Sequence, residues 1–178
     1  IEGELPVKYI STRGGMSAAP YSAILLEGLA TDGGLVVPET VPQVTPEQIE
    51  SWRGLDYPQL AAEILSLYAT DIPREDLDAM CRAAYSTDKF VSEQIVPVTP
   101  LEGASPIGQI SLVGLSEGPT LAFKDMAMQF LGQALEYVLA QSDRTLNIIG
   151  ATSGDTGSAA EYALRGKEGI AVFMLSPQ

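Results

Sequence analysis

From Ile110 to Leu175 the chain alternates short apolar runs with amphipathic stretches, and this alternation restricts its fold more than any other feature. Ile110–Leu115, Leu146–Gly150 and Ile170–Leu175 have the length and branched apolar content of strands. Between the first two, Gly118-Pro119-Thr120 turns the chain into a long helix with Phe123, Ala127, Phe130, Ala134 and Val138 at helical spacing. Between the last two, a second helix runs from Gly157 to Leu164 and stops near Gly166. Strand, helix, strand, helix, strand implies parallel pairing with helical crossovers, the pattern of an α/β sheet. Ile170–Leu175 reads as a buried third strand. Three parallel strands with two crossovers make half of a doubly wound domain, so the chain is expected to be incomplete.

The preceding half has a different rhythm. Thr45-Pro46-Glu47-Gln48 has the form of a capping box with proline at the first helical position. Asp56 is placed to cap a helix carrying Leu60, Ala61, Ile64, Leu65 and Tyr68. Asp71-Ile72-Pro73 opens another, with Leu77, Met80, Cys81 and Ala84 along one face. Cys81 belongs to that apolar stripe and reads as a core residue, not a reactive thiol. Lys89-Phe90-Val91 suggests a short strand, and Ile95-Val96-Pro97-Val98 an extended segment. The expected organisation is a mostly helical subdomain over residues 1–88, followed by the first half of an α/β domain over 89–178.

Composition removes several kinds of chemistry. The sequence contains no histidine, which excludes Ser-His-Asp and Cys-His catalysis within this chain and every histidine-based zinc motif. A single cysteine cannot form an intrachain disulfide and makes a thiolate metal site improbable, so no metal is expected. The net charge of −13 would repel nucleic acid and anionic membranes. Ile1–Glu4 lacks the basic and apolar regions of a secretory signal, and no apolar run approaches the roughly 20 residues of a membrane span. A cytoplasmic protein acting on a small molecule is the expectation. Any anionic ligand must be drawn in by local donors, because the overall field opposes it.

Two segments can supply such chemistry. Gly118-Pro119-Thr120-Leu121-Ala122-Phe123-Lys124-Asp125 sets a lysine in the first turn of a helix that follows a strand. Open α/β sheets bind ligands at that end of their strands, where a lysine amine can condense with a carbonyl. Gly150-Ala151-Thr152-Ser153-Gly154-Asp155-Thr156-Gly157-Ser158 joins a strand to an alanine-rich helix. Small residues there leave N–H groups free at a helix start, a site suited to a carboxylate or phosphate, and Thr152, Ser153 and Thr156 add hydroxyls. The segment has neither Walker A nor G-x-G-x-x-G spacing. Asp155-Thr156-Gly157-Ser158 also matches the D-T-G-S of aspartic proteases, but those enzymes are all-β and this tetrapeptide opens a helix.

Four ordered segments together resemble the threonine synthase family. They are Lys8–Gly14, Ala30–Glu39, Gly118–Asp125 and Ala151–Ala159, and the likeness extends over residues 8–178. It implies a fold-type II enzyme dependent on pyridoxal 5′-phosphate (PLP), related in architecture to the tryptophan synthase β subunit. The implied reaction converts O-phospho-L-homoserine and water to L-threonine and phosphate. By the same resemblance Lys124 would carry the cofactor covalently and move protons at the substrate's α and β carbons. Phe123 would lie near the cofactor ring. Thr152, Ser153, Gly154, Asp155 and Thr156 would hold the substrate carboxylate. Asp155 would also face the cofactor's phenolic oxygen, where relatives carry asparagine, so one of those two groups would hold a proton. Thr12 and Arg13 are candidates for contact with the substrate phosphate.

The family's glycine-rich loop for the PLP phosphate, and its partner for the pyridine nitrogen, have no counterpart in residues 1–178. The chain is therefore expected to be an N-terminal fragment, inactive alone. Two other readings stay open: a sister enzyme such as a cysteate synthase, and a non-catalytic relative that binds a ligand.

Overall fold

The computed structural model describes residues 6–103 and 108–177, so the reading made at Ile1–Glu4 lies outside the described residues. The chain divides into two compact units, Ile1–Cys81 and Arg82–Gln178. Among the described residues, no helix is long and apolar enough to cross a membrane, and no three or more Cys, Asp or Glu side chains are grouped to hold a metal ion.

In the first unit, β1 (Tyr9–Ser11) pairs antiparallel with β2 (Val36–Pro38), Ser11 opposite Val36. Helices α1 (Tyr21–Leu25), α2 (Pro46–Ser51), α3 (Tyr57–Ser66) and the start of α4 (Arg74–Ala84) complete it. Both expected caps form. Thr45 and Gln48 exchange side-chain and backbone bonds at the start of α2, and Asp56 and Gln59 do the same for α3. Leu77, Met80, Cys81 and Ala84 of α4 are all buried, as their spacing predicts. Burial pushes the Cys81 thiol up to about 12, which leaves it without nucleophilic character near neutral pH.

The turn that returns to β1 is held by one carboxylate. Asp32 accepts hydrogen bonds from Ser11 Oγ (2.6 Å), Gly15 N (2.7 Å) and Gly34 N (2.9 Å). The Ser11 bond, then the Gly34 N–H, hold its carboxyl below the usual range against the opposing effect of desolvation. A depressed folded-state value means that this contribution is complete above the ordinary aspartate value of about 3.9 and is lost as pH falls through the lower folded value. Asp32→Asn offers one acceptor where three donors converge. It is expected to lower the urea midpoint at pH 7 and to flatten the loss of stability below about pH 4, both read by chemical denaturation across pH.

The second unit contains β3 (Val98–Pro100), β4 (Ser111–Val113), α5 (Asp125–Ala140), β5 (Leu146–Ala151), α6 (Asp155–Leu164) and β6 (Ile170–Leu175). It is α/β, with β5 and β6 parallel in register Leu146↔Ile170 to Ala151↔Leu175 and α6 as their connection. The strand expected over Ile110–Leu115 does not join them. As β4 it pairs antiparallel with β3, Val98 opposite Val113, and the pairing is prolonged by Gly114 N donating to Pro97 O. A partner close in sequence costs less chain entropy to close than a distant parallel one. The described parallel sheet thus has two strands instead of three.

Three further expectations are corrected. Lys89-Phe90-Val91 is no strand: the N–H groups of Lys89 and Phe90 both donate to Ser86 O, and Phe90 is buried in that turn beside Tyr85. Ile95 has φ +61°, so extended backbone begins only at Val98. β6 is not buried throughout. Ile170, Val172 and Met174 are half-buried, whereas Ala171, Phe173 and Leu175 are exposed, because helix packing covers one face of the strand only.

The long helix begins at Asp125, and its buried stripe is Asp125, Gln129, Phe130, Gly132, Ala134, Leu135 and Leu139. Phe130 and Ala134 fit the predicted face. Val138 is half-buried, and Phe123 and Ala127 are exposed. The helix is rotated so that Gly132 meets Ala163 of α6, where a Cβ would lie 2.6 Å from the Ala163 carbonyl oxygen. Close approach of two backbones, not the largest side chains, sets the inward face.

Candidate active site

The segment Gly118–Asp125 is a folded turn that leads into α5. Leu121 N donates to Gly118 O (3.0 Å), and Leu121 itself is left-handed at φ +59°. For a side chain without glycine's freedom this costs roughly 1–2 kcal/mol, so other contacts must hold the turn. Asp125 supplies them. Its carboxylate is fully buried and accepts from Thr120 N (2.8 Å) and Thr120 Oγ1 (2.9 Å), closing the turn back on itself. A Cβ at Gly118 would stand 2.5 Å from Asp125 Cβ and Oδ2. Since Gly118 has no positive φ, close approach is the reason for glycine here.

Lys124 therefore lies one residue earlier than expected, at the N-cap of α5 and not in its first turn. It is half-buried, with Nζ 4.7 Å from the centroid of the exposed Phe123 ring, a cation–π arrangement. Its carbonyl accepts from Met128 N (2.9 Å) and Ala127 N (3.1 Å), which fixes its backbone to the helix. Tyr85 Oη donates to Met126 O (2.9 Å) in the following residues.

The second segment turns from β5 into α6. Helix α6 starts at Asp155, two residues before the predicted Gly157, with Gly154 as N-cap at φ +141°. Only glycine adopts that conformation without strain. Thr152 Oγ1 accepts from Gly157 N (2.9 Å) and, at longer range, Gly154 N (3.3 Å), so this hydroxyl shapes the loop from within. A Cβ on Gly157 would run into Thr152 Oγ1. The N–H groups of Asp155 and Thr156, first in the helix, have no intrahelical acceptor. Ser153, Gly154 and Asp155 are exposed, while Thr152 and Thr156 are half-buried. Asp155-Thr156-Gly157-Ser158 forms the first turn of α6.

A shallow, open depression lies at the carboxyl ends of β5 and β6, lined by Ala151, Thr152, Ser153, Leu175, Ser176 and Pro177. This is the end at which open α/β sheets bind ligands. The Asp125–Thr120 bonds and the Thr152 bonds each stay within their own segment. Thr12 and Arg13 belong to the first unit. There Thr12 Oγ1 accepts from Leu35 N (3.0 Å) and Arg13 Nη1 donates to Asp32 O (3.1 Å). Sequence reasoning passed over Asp125, Thr120 and Gly118 as a set. The available signal was an aspartate at the first helical position, preceded five residues earlier by threonine.

Fold and site define an α/β segment with a fixed lysine at the start of one helix and an anion-suited turn at the start of the next. Residues 8–85 match the family model described as "Threonine synthase N terminus". The chain is 55% identical over 174 residues to threonine synthase of Corynebacterium glutamicum, covering 95% of this chain and 35% of that protein. It is 52% identical over 178 residues to that of Methylobacillus glycogenes, with 96% and 36% covered. Among solved structures, PLP-bound threonine synthase from Brucella melitensis superposes with a TM-score of 0.87 at 41% identity, covering 97% of this chain and 36% of that one. Yeast threonine synthase gives 0.87 at 37% identity, with 96% and 35% covered. The chain thus spans about a third of the length of the relatives it matches.

Proposed function

We propose that this chain supplies the lysine-bearing part of a fold-type II, PLP-dependent threonine synthase, a cytoplasmic enzyme that converts O-phospho-L-homoserine and water to L-threonine and phosphate. The observation that carries the reading is Lys124 at the start of α5, next to the turn that Asp125 closes on Thr120. Residues 1–88 would form the mostly helical subdomain and 89–178 the first part of the cofactor domain.

The residues present fit PLP in the chemistry of their donors. A primary amine lies over an aromatic ring, and a second helix start offers N–H groups beside an open depression at the strand ends. Lys124 would be the covalent anchor, Phe123 would pack near the ring, and Asp155 would face its phenolic oxygen. When bound, PLP supplies an electron sink for charge developing on the substrate's α carbon. The work of this chain is then orientation and proton transfer. Lys124 Nζ takes and returns protons at the substrate's α and β carbons. The N–H groups of Ser153, Asp155 and Thr156 receive the substrate carboxylate, and Thr152 keeps their loop in shape from behind.

The test is product formation by the natural-length protein, offered O-phospho-L-homoserine and, separately, phosphoserine. Threonine and phosphate from the first alone support the reading, whereas turnover of phosphoserine alone would transfer the site to a sister enzyme. Residues 1–178 alone are expected to show no turnover of either compound.

A further inference from the structure

We infer that Asp125 is a positioning residue that sets Lys124 through a clasp on Thr120, acting by hydrogen-bond geometry and not by its charge. The inference rests on the reading of Lys124 as the reacting amine. Three observations converge on it. Asp125 is fully buried, and both of its described side-chain bonds go to one residue, Thr120, on the far side of the turn. The turn enclosed by these bonds contains a left-handed Leu121 and closes through Leu121 N to Gly118 O. Such a conformation persists only where surrounding bonds over-determine it. Gly118 leaves no room for a Cβ beside the carboxylate, so the clasp has one fitting arrangement. Lys124 is the residue between the enclosed turn and the clasping aspartate, and any slackening there moves its amine.

The clasp makes a sharp distinction between two substitutions. Asp125→Asn can keep both contacts, its oxygen accepting from Thr120 N and its amide group donating to the Thr120 hydroxyl, now turned to accept. Asp125→Ala keeps neither. In the natural-length protein Asp125→Ala is expected to lower kcat about 100-fold with KM changed less than threefold, because a displacement of about 1 Å costs on that order. Asp125→Asn is expected to stay within about threefold of the parent. Thr120→Val removes the hydroxyl bond alone and should fall between them, which keeps the test available if Asp125→Ala does not fold.

Two readouts need no turnover. Hydrogen exchange at the Thr120 amide should speed up at least tenfold in Asp125→Ala and stay protected in Asp125→Asn. In the cofactor-free protein, trace acetylation of Lys124, mapped by mass spectrometry, should shift in rate at least threefold in Asp125→Ala and not in Asp125→Asn. An Asn variant as impaired as the Ala variant, with its Thr120 amide still protected, would overturn the inference in favour of a charge effect. Unchanged kcat and acetylation in Asp125→Ala, with the amide exposed, would overturn it outright. A parent protein inactive on O-phospho-L-homoserine would instead sink the functional reading, while exchange and acetylation still judged the clasp.

Discussion

Lys124→Ala in the natural-length protein is expected to cut turnover of O-phospho-L-homoserine by roughly 10²–10⁴-fold, the scale of losing a positioned proton-transfer group. It should also abolish the visible absorbance of lysine-bound cofactor. Stability of the cofactor-free protein should change by less than about 1 kcal/mol, because the side chain's described contact is the cation–π approach to Phe123 beside solvent. That combination separates a reacting amine from a structural one. Lys124→Arg sharpens the test, since it keeps a cation able to sit over Phe123 but cannot be deprotonated near neutral pH. It should be as inactive as the alanine variant and as stable as the parent. Partial recovery of the alanine variant by added methylamine would show that only the amine is missing. If Lys124→Arg retains more than about a tenth of the parent activity, the lysine's role is electrostatic and the proposed assignment fails.

What the sequence made legible was local. The caps at Thr45 and Asp56 could be read because donor and acceptor lie three residues apart in a recurring pattern. The helix face of α4 could be read because Leu77, Met80, Cys81 and Ala84 follow a single period. Lys124 and the 152–157 loop stood out because their residue types are unusual at helix starts after strands. The clasp was hidden for the opposite reason: a carboxylate reaching back five residues has no recognised cap spacing. Leu121 and Ile95 are left-handed without being glycine or asparagine, so nothing in their identity announces it. The partner of β4 was a choice between a local hairpin and a distant parallel neighbour, and apolar pattern alone does not decide between them. The inward face of α5 depended on Gly132, a residue that hydrophobic periodicity ignores.

That glycine carries the second large effect. A Cβ at position 132 would lie 2.6 Å from the Ala163 carbonyl oxygen, where ordinary contact begins near 3.4 Å. The neighbour is backbone within α6, so no side chain can rotate out of the way. Separation of the helices is opposed by the Lys167 Nζ–Glu136 Oε2 ion pair (2.6 Å) and the Glu168 N–Glu136 Oε1 bond (3.1 Å), which tie α5 to the turn after α6. Two effects therefore compete in Gly132→Ala. Helix propensity favours alanine by about 1 kcal/mol, and overpacking costs about 1–3 kcal/mol. With backbone as the obstacle the upper part of that range applies, and a net destabilisation of about 1–2 kcal/mol is expected by urea denaturation of the natural-length protein. Gly132→Val has a bulkier side chain and little propensity gain, and should lose about 3 kcal/mol or more. Ala127→Gly, on the exposed side of the same helix, serves as the control and should lose about 1 kcal/mol from propensity alone. If Gly132→Ala instead gains about 1 kcal/mol, the mirror of that control, then position 132 obeys propensity only. The close approach of α5 and α6 would not then be what orients the helix that begins beside Lys124.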